Sequence, residues 1–161
     1  MALTTKPRWD KYDGYIGNYR GVLAEDIDLT EGTGEANQVL AVGTNANGAI
    51  TVGGGQTGVN GLMIVAVGAD IHGNLLDGGI NNQAGDPQDV GAHGEITNFK
   101  PYKASDPATS PAPTAGTNYF GHPDGSVLPT KVDGAVYVGH TQEKDRLIVD
   151  VNVTAEVLDV P

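Results

Sequence analysis

From Gly21 onward the apolar residues come in short runs broken by glycine and asparagine: GVLA at 21–24, ANQVLAVG at 36–43, GAITV at 48–52 and LMIVAVG at 62–68. Runs this short, rich in Val, Ile and Leu and bounded by turn formers, predict strands rather than helices. The stretch from Val39 to Val52 reads as a hairpin, with Asn45, Asn47 and Gly48 expected to supply left-handed turn positions. Leu62 to Val67 is apolar at every position, which predicts a central strand buried on both faces. Only the neighbourhood of Ile71 to Leu76 leaves room for a helical turn or two. The final stretch, RLIVDVNVTAEVLDV, alternates: Leu147, Val149, Val151 and Val153 face one way, and Ile148, Asp150, Asn152 and Thr154 the other. Such a strand belongs on a sheet surface or in an oligomer seam.

Two stretches depart from this pattern. Residues 1–20 interleave Trp9, Tyr12, Tyr15 and Tyr19 with charges, Pro7, Gly14 and Gly17. The glycines and proline oppose a helix and predict an extended arm. Residues 100–117 carry Pro101, Pro107, Pro111 and Pro113 among Ala, Ser and Thr, a composition that predicts a surface loop or linker. The expected organisation is an N-terminal arm (1–20), a main β domain (21–99), a Pro-rich connecting loop (100–117) and a C-terminal β segment (118–161) packing on the main domain.

Composition narrows the function. The chain has 161 residues, 24 of them glycine, only 6% aromatic and no cysteine, so the core must be built from small aliphatic side chains, and disulfides and thiolate metal sites are impossible. The net charge of −11 opposes nucleic-acid binding and is unevenly spread. Residues 1–20 hold four basic and two acidic groups, residues 21–98 ten acidic and no basic ones, and residues 99–161 five basic and eight acidic. One reading is simply a solvated acidic surface; the sharper one is a basic arm that binds and an acidic body that faces solvent. No apolar stretch reaches signal-peptide or membrane-span length, so a soluble protein made without an export signal is expected.

The candidate chemistry is sparse. Gly53, Gly55 and Gly58 satisfy G-x-G-x-x-G after a predicted strand, with Asp77 downstream, but the following VNGLMIVAV predicts a strand where a dinucleotide site needs a helix N-terminus. His72, His93, His122 and His140 are far apart and form no ligand pair. Asp77, Asp86 and Asp89, with Asn81 and Asn82 between, have the composition of a calcium loop without its alternating spacing or terminal Glu. Ser105, Ser110 and Ser126 lack the strand-to-helix elbow of an activated nucleophile. A non-enzymatic protein without cofactor or metal is expected.

The arm, the Gly21 to Ala24 entry, the Gly-rich strands and the phrase AGDPQDVGAHGEI (84–96) together resemble the capsid decoration, or cement, proteins of tailed phages. Gly85, Asp86, Val90, Gly94 and Ile96 carry the resemblance over roughly residues 20–99; Pro87 and Gly91 depart from it. It implies an all-β fold with a small β-barrel or β-tulip-like body, commonly a homotrimer, seated on the outer capsid surface of a virion and made in the host cytoplasm. It further implies an arm that orders on the shell and bridges neighbouring major capsid protein subunits, with neither nucleic acid nor membrane as partner. The expected capsid-binding residues are Arg8, Trp9, Lys11, Tyr12, Tyr15, Tyr19 and Arg20. The alternative is a carbohydrate- or receptor-binding β module on a virion or cell surface, using Trp9 and the tyrosines as stacking platforms.

Overall fold

A computed structural model describes residues 18–27, 38–65 and 83–151. These form ten strands: β1 (Tyr19–Val22), β2 (Gln38–Thr44), β3 (Ile50–Val52), β4 (Gly61–Val65), β5 (Pro87–Gly91), β6 (His93–Thr97), β7 (Asn118–Gly121), β8 (Val127–Leu128), β9 (Val136–Glu143) and β10 (Arg146–Asp150). The fold is all-β, with a single 3-10 turn at Pro107–Thr109 as the one helical element among the described residues.

The strands make two antiparallel sheets, in the orders β1-β5-β4-β2-β3 and β6-β10-β9-β7-β8. The first sheet curls until its edges meet: Leu23, just after β1, bridges Ile50 of β3, and the Ala24 N–H bonds the Ile50 carbonyl at 2.8 Å. Inside the curl lie Leu23, Leu40, Val42, Ile50, Met63, Val65 and Val90. A second core lies between the sheets, where Val39, Ala41, Val59 and Leu62 meet Phe99, Tyr119, Val127, Val136, Val138, Leu147 and Val149.

Alternation along β2 explains this arrangement. Leu40 and Val42 point into the curl while Val39 and Ala41 point at the second sheet, and all four are buried. A strand covered on both faces has no use for a polar residue, hence the unbroken VLAV. The central strand β4 comes close to this, with Leu62, Met63 and Val65 buried, but Ile64 is 38% exposed because the second sheet does not extend over it.

The hairpin stands where the sequence places it, as β2 and β3. Its turn works differently: only Gly48 is left-handed (φ 80°), whereas the Asn45 side chain accepts the N–H groups of Asn47 and Ala49 at 2.9 and 3.0 Å. The stretch containing Pro87 and Gly91 forms β5, paired with β1 and β4. Proline is tolerated because it begins the strand, opposite Val22 at the last position of β1.

Residues 93–97, expected within the main β domain, form β6 and pair with β10 in the second sheet. Phe99 follows them into the core between the sheets. The Pro-rich stretch packs on the body: Tyr102 bridges Val127, Ser126 Oγ accepts the Ala104 N–H at 2.8 Å, and Thr141 Oγ1 donates to the Thr114 carbonyl.

Candidate functional site

Of the arm residues singled out from the sequence, Arg8, Trp9, Lys11, Tyr12 and Tyr15 lie outside the described residues. Tyr19 and Arg20 begin β1. Strand alternation sends them opposite ways. Tyr19 packs against the core of the curl, and its hydroxyl donates to Asn60 Oδ1 at 2.9 Å and lies 3.3 Å from Thr44 Oγ1. Asn60 in turn donates to Thr44 Oγ1 and Thr57 Oγ1, so the one polar atom of the ring is satisfied by a local network. Arg20 points outward and forms a two-pronged pair with Asp89, its cross-strand partner, at 2.7 and 3.0 Å. Donation from the guanidinium holds the Asp89 carboxyl below its ordinary range and raises the Arg20 guanidinium.

Asn18 anchors the arm, and sequence reading missed it. Its Oδ1 accepts the N–H groups of Ala92 (2.8 Å) and His93 (3.1 Å), and its Nδ2 donates to the His93 carbonyl at 3.3 Å. Ala92 is the corner where the chain leaves the first sheet for the second, and its carbonyl accepts the Val151 N–H at 2.9 Å. The described chain therefore begins and ends at one corner, with residues 1–17 preceding Asn18 and 152–161 following Val151. Nothing in the local sequence distinguishes Asn18 from the other asparagines near glycine, since its partners are more than seventy residues away.

Two clefts flank this corner. One, of about 380 Å³, is lined by Asn18, Tyr19, Arg20, Asp89, Val90 and Gly91. The other, also about 380 Å³, runs between β4 and β5 on one side and β6 and β10 on the other, with Leu62, Ile64, Ile96 and Val149 among its apolar lining and Asp89, His93 and Glu95 among its polar lining.

The remaining candidates have structural employment. Gly53, Gly55 and Gly58 lead into β4, and no helix follows them. Gly53 (φ 79°) passes so close to Pro123 that a Cβ would lie 2.0 Å from its carbonyl oxygen. Ser110 and Ser126 accept backbone N–H groups, and His122 Nε2 meets the Thr130 carbonyl at 2.7 Å. His93 faces Asp150 at 3.4 Å, and His140 faces the Tyr137 hydroxyl at 3.4 Å. Asp86 accepts the Gln83 N–H, Asp89 is taken by Arg20, and Asp77, Asn81 and Asn82 lie outside the described residues. Among the described residues, no three or more of His, Cys, Asp and Glu converge at metal-binding distance.

No protein-family model matches the sequence, and no curated protein does. Among solved structures, a chain from Mycobacterium phage Patience is 48% identical, with the match covering 94% of this chain and 98% of that one at a TM-score of 0.72. Agreement of that extent, over nearly the whole of both chains, spans both sheets and makes this a phage-type all-β protein. The chain belongs to the family of that phage protein.

Proposed function

We propose that this protein is a structural component of a phage virion that binds the outer surface of the capsid and stabilises the shell by bridging neighbouring major capsid subunits. The observation that carries the reading is the near full-length relationship to a phage protein, set beside the sequence resemblance to decoration proteins. The body suits such a role: an antiparallel two-sheet unit with an acidic sequence, from whose Ala92 corner both terminal segments depart. The N-terminal segment carries Arg8, Trp9, Lys11, Tyr12 and Tyr15, residue types that anchor interfaces because they bring large contact area and charge at small entropic cost. Tyr19 serves the body's own core, so the strap available to the shell ends before it. A homotrimer places three straps around one seat and multiplies weak contacts into tight attachment.

The test is binding of purified protein to capsids that lack it. The triple variant Arg8→Ala, Trp9→Ala, Lys11→Ala is expected to melt like the native protein and to lose capsid occupancy by about a hundredfold, as for loss of interface anchors. Undiminished occupancy would refute the assignment of the arm.

A further inference from the structure

Asparagine followed directly by glycine occurs twice in the chain, at Asn47–Gly48 and at Asn60–Gly61. The pairing is chemically distinct. A glycine nitrogen has no Cβ beside it to hold it off, so it can reach the Cγ of the preceding asparagine and close a five-membered ring. The fold holds the two steps in opposite ways.

Asn60 is locked. Its Oδ1 accepts the Tyr19 hydroxyl at 2.9 Å, and its Nδ2 donates to Thr44 Oγ1 and Thr57 Oγ1 at 3.1 and 3.2 Å. Its N–H donates to the Val42 carbonyl at 2.9 Å, and Gly61, the buried first residue of β4, pairs with Val42. Space is short there as well, since a Cβ on Gly61 would lie 2.3 Å from Val90 Cγ1. Turning this amide onto the Gly61 nitrogen breaks its side-chain network and disturbs a packed strand.

Asn47 stands at the tip of the β2–β3 hairpin, where Ala46, Asn47 and Gly48 are all exposed. Its N–H donates to Asn45 Oδ1, but its side-chain amide has no hydrogen-bond partner among the described residues. A Cβ on Gly48 would meet nothing within 4 Å, so the space around this glycine is open. The restraint is the turn itself: the Gly48 N–H donates to the Asn45 carbonyl at 3.0 Å, and Asn45 Oδ1 holds the Asn47 and Ala49 N–H groups at 2.9 and 3.0 Å. An exposed turn of this kind opens at far lower cost than a central strand.

We propose that Asn47 is a site of spontaneous covalent modification, converting to aspartate and isoaspartate, while its network keeps Asn60 intact. When the turn opens, the Gly48 nitrogen gives its proton to a solvent base and attacks Asn47 Cγ. The Cγ–Nδ2 bond breaks, and the leaving nitrogen takes a proton from water and departs as ammonia. Water then opens the succinimide ring. Addition at Cγ gives aspartate, and addition at the backbone carbonyl carbon gives isoaspartate, whose chain runs through Cβ and Cγ. Either product adds a negative charge to the net −11, and isoaspartate also lengthens the backbone of a turn that Asn45 holds. The exposed Asp133–Gly134 step is slower, because a carboxylate repels the nitrogen anion and has no ammonia to release. The inference concerns the protein alone and does not depend on the capsid reading.

The native protein is the sample for the test: it is held in warm, mildly alkaline buffer and followed by peptide mapping with mass spectrometry. Conversion at Asn47 is expected to run at least about tenfold faster than at Asn60, as for a step reached by local opening. Isoaspartate is expected among the products, which separates ring closure from direct hydrolysis, whose product is aspartate alone. Asn45→Ala removes the side-chain clamp and is expected to speed conversion at Asn47 by about 2–10-fold. Comparable rates at the two steps overturn the proposal, as does aspartate at Asn47 without isoaspartate. It is equally overturned if Asn47 persists under conditions that convert a free peptide of residues 45–49.

Discussion

Replacing Phe99 with alanine probes whether the two sheets stand or fall together. Phe99 is fully buried between them, follows β6 directly, and sets its ring edge-on to Tyr119 with centroids 4.9 Å apart and planes at 81°. Truncation removes the ring's burial and leaves a cavity, a loss of about 3–5 kcal/mol. The contact with Tyr119 supplies about 0.5–1.5 kcal/mol of that. Against a total stability of about 5–15 kcal/mol, this is a large fraction, equivalent to a fall in Tm on the order of 6–20 °C. Differential scanning calorimetry, with amide exchange at Leu40 and Met63 as reporters inside the curl, measures it. One cooperative transition shifted down, with Leu40 and Met63 amides losing protection in step, is expected, because Val39 and Leu62 share a cluster with Phe99. Two transitions, one of them unshifted, would refute the shared core. The milder Phe99→Leu is expected to lose less than half as much.

Other outcomes follow from the same geometry. Asn18→Ala leaves the part-buried Ala92 N–H without its acceptor and is expected to lower stability by about 1–3 kcal/mol in denaturant titration. Gly121 of β7 faces the first sheet, and a Cβ there would sit 2.9 Å from both Ala41 Cβ and Val59 Cγ1; Gly121→Val is expected to destabilise by about 1–3 kcal/mol or more, read as a lower denaturation midpoint. Because Arg20 lowers the Asp89 pKa in the folded state, the pair's contribution is present above the unfolded carboxylate's value of about 3.9 and is lost as pH falls through the lower folded value. β1 amide exchange is therefore expected to accelerate in that acidic window in the native protein and to lose this dependence in Asp89→Asn.

Much of the fold is legible along the chain because strand signals are local. Val39 to Val52 announces a hairpin, Gly48 and Asn45 mark its turn, and Leu147, Val149 and Val151 show their inward face by alternation, whereas the double burial read into Leu62 to Val67 fails at Ile64. What escapes sequence reading is pairing at a distance. The transfer of residues 93–97 to the second sheet depends on partners at 146–150, and the closure of the first sheet rests on one bridge between Leu23 and Ile50. Prolines at 101, 107, 111 and 113 suggest a linker, yet the segment is held by side chains such as Ser126 and Thr141 that no local pattern marks. Tyr19 illustrates the limit for the candidate site: it shares its composition with Tyr12 and Tyr15, and only the strand register reveals that it faces inward.

The central claim is that this protein attaches to the outside of a phage shell, and the direct measurement is cryo-electron microscopy of capsids incubated with the purified chain. Density for the two-sheet body over the outer surface, saturating at a fixed number of copies per capsid and contacting more than one major capsid subunit through the N-terminal strap, is the expected result. Bare capsids at saturating protein would contradict it.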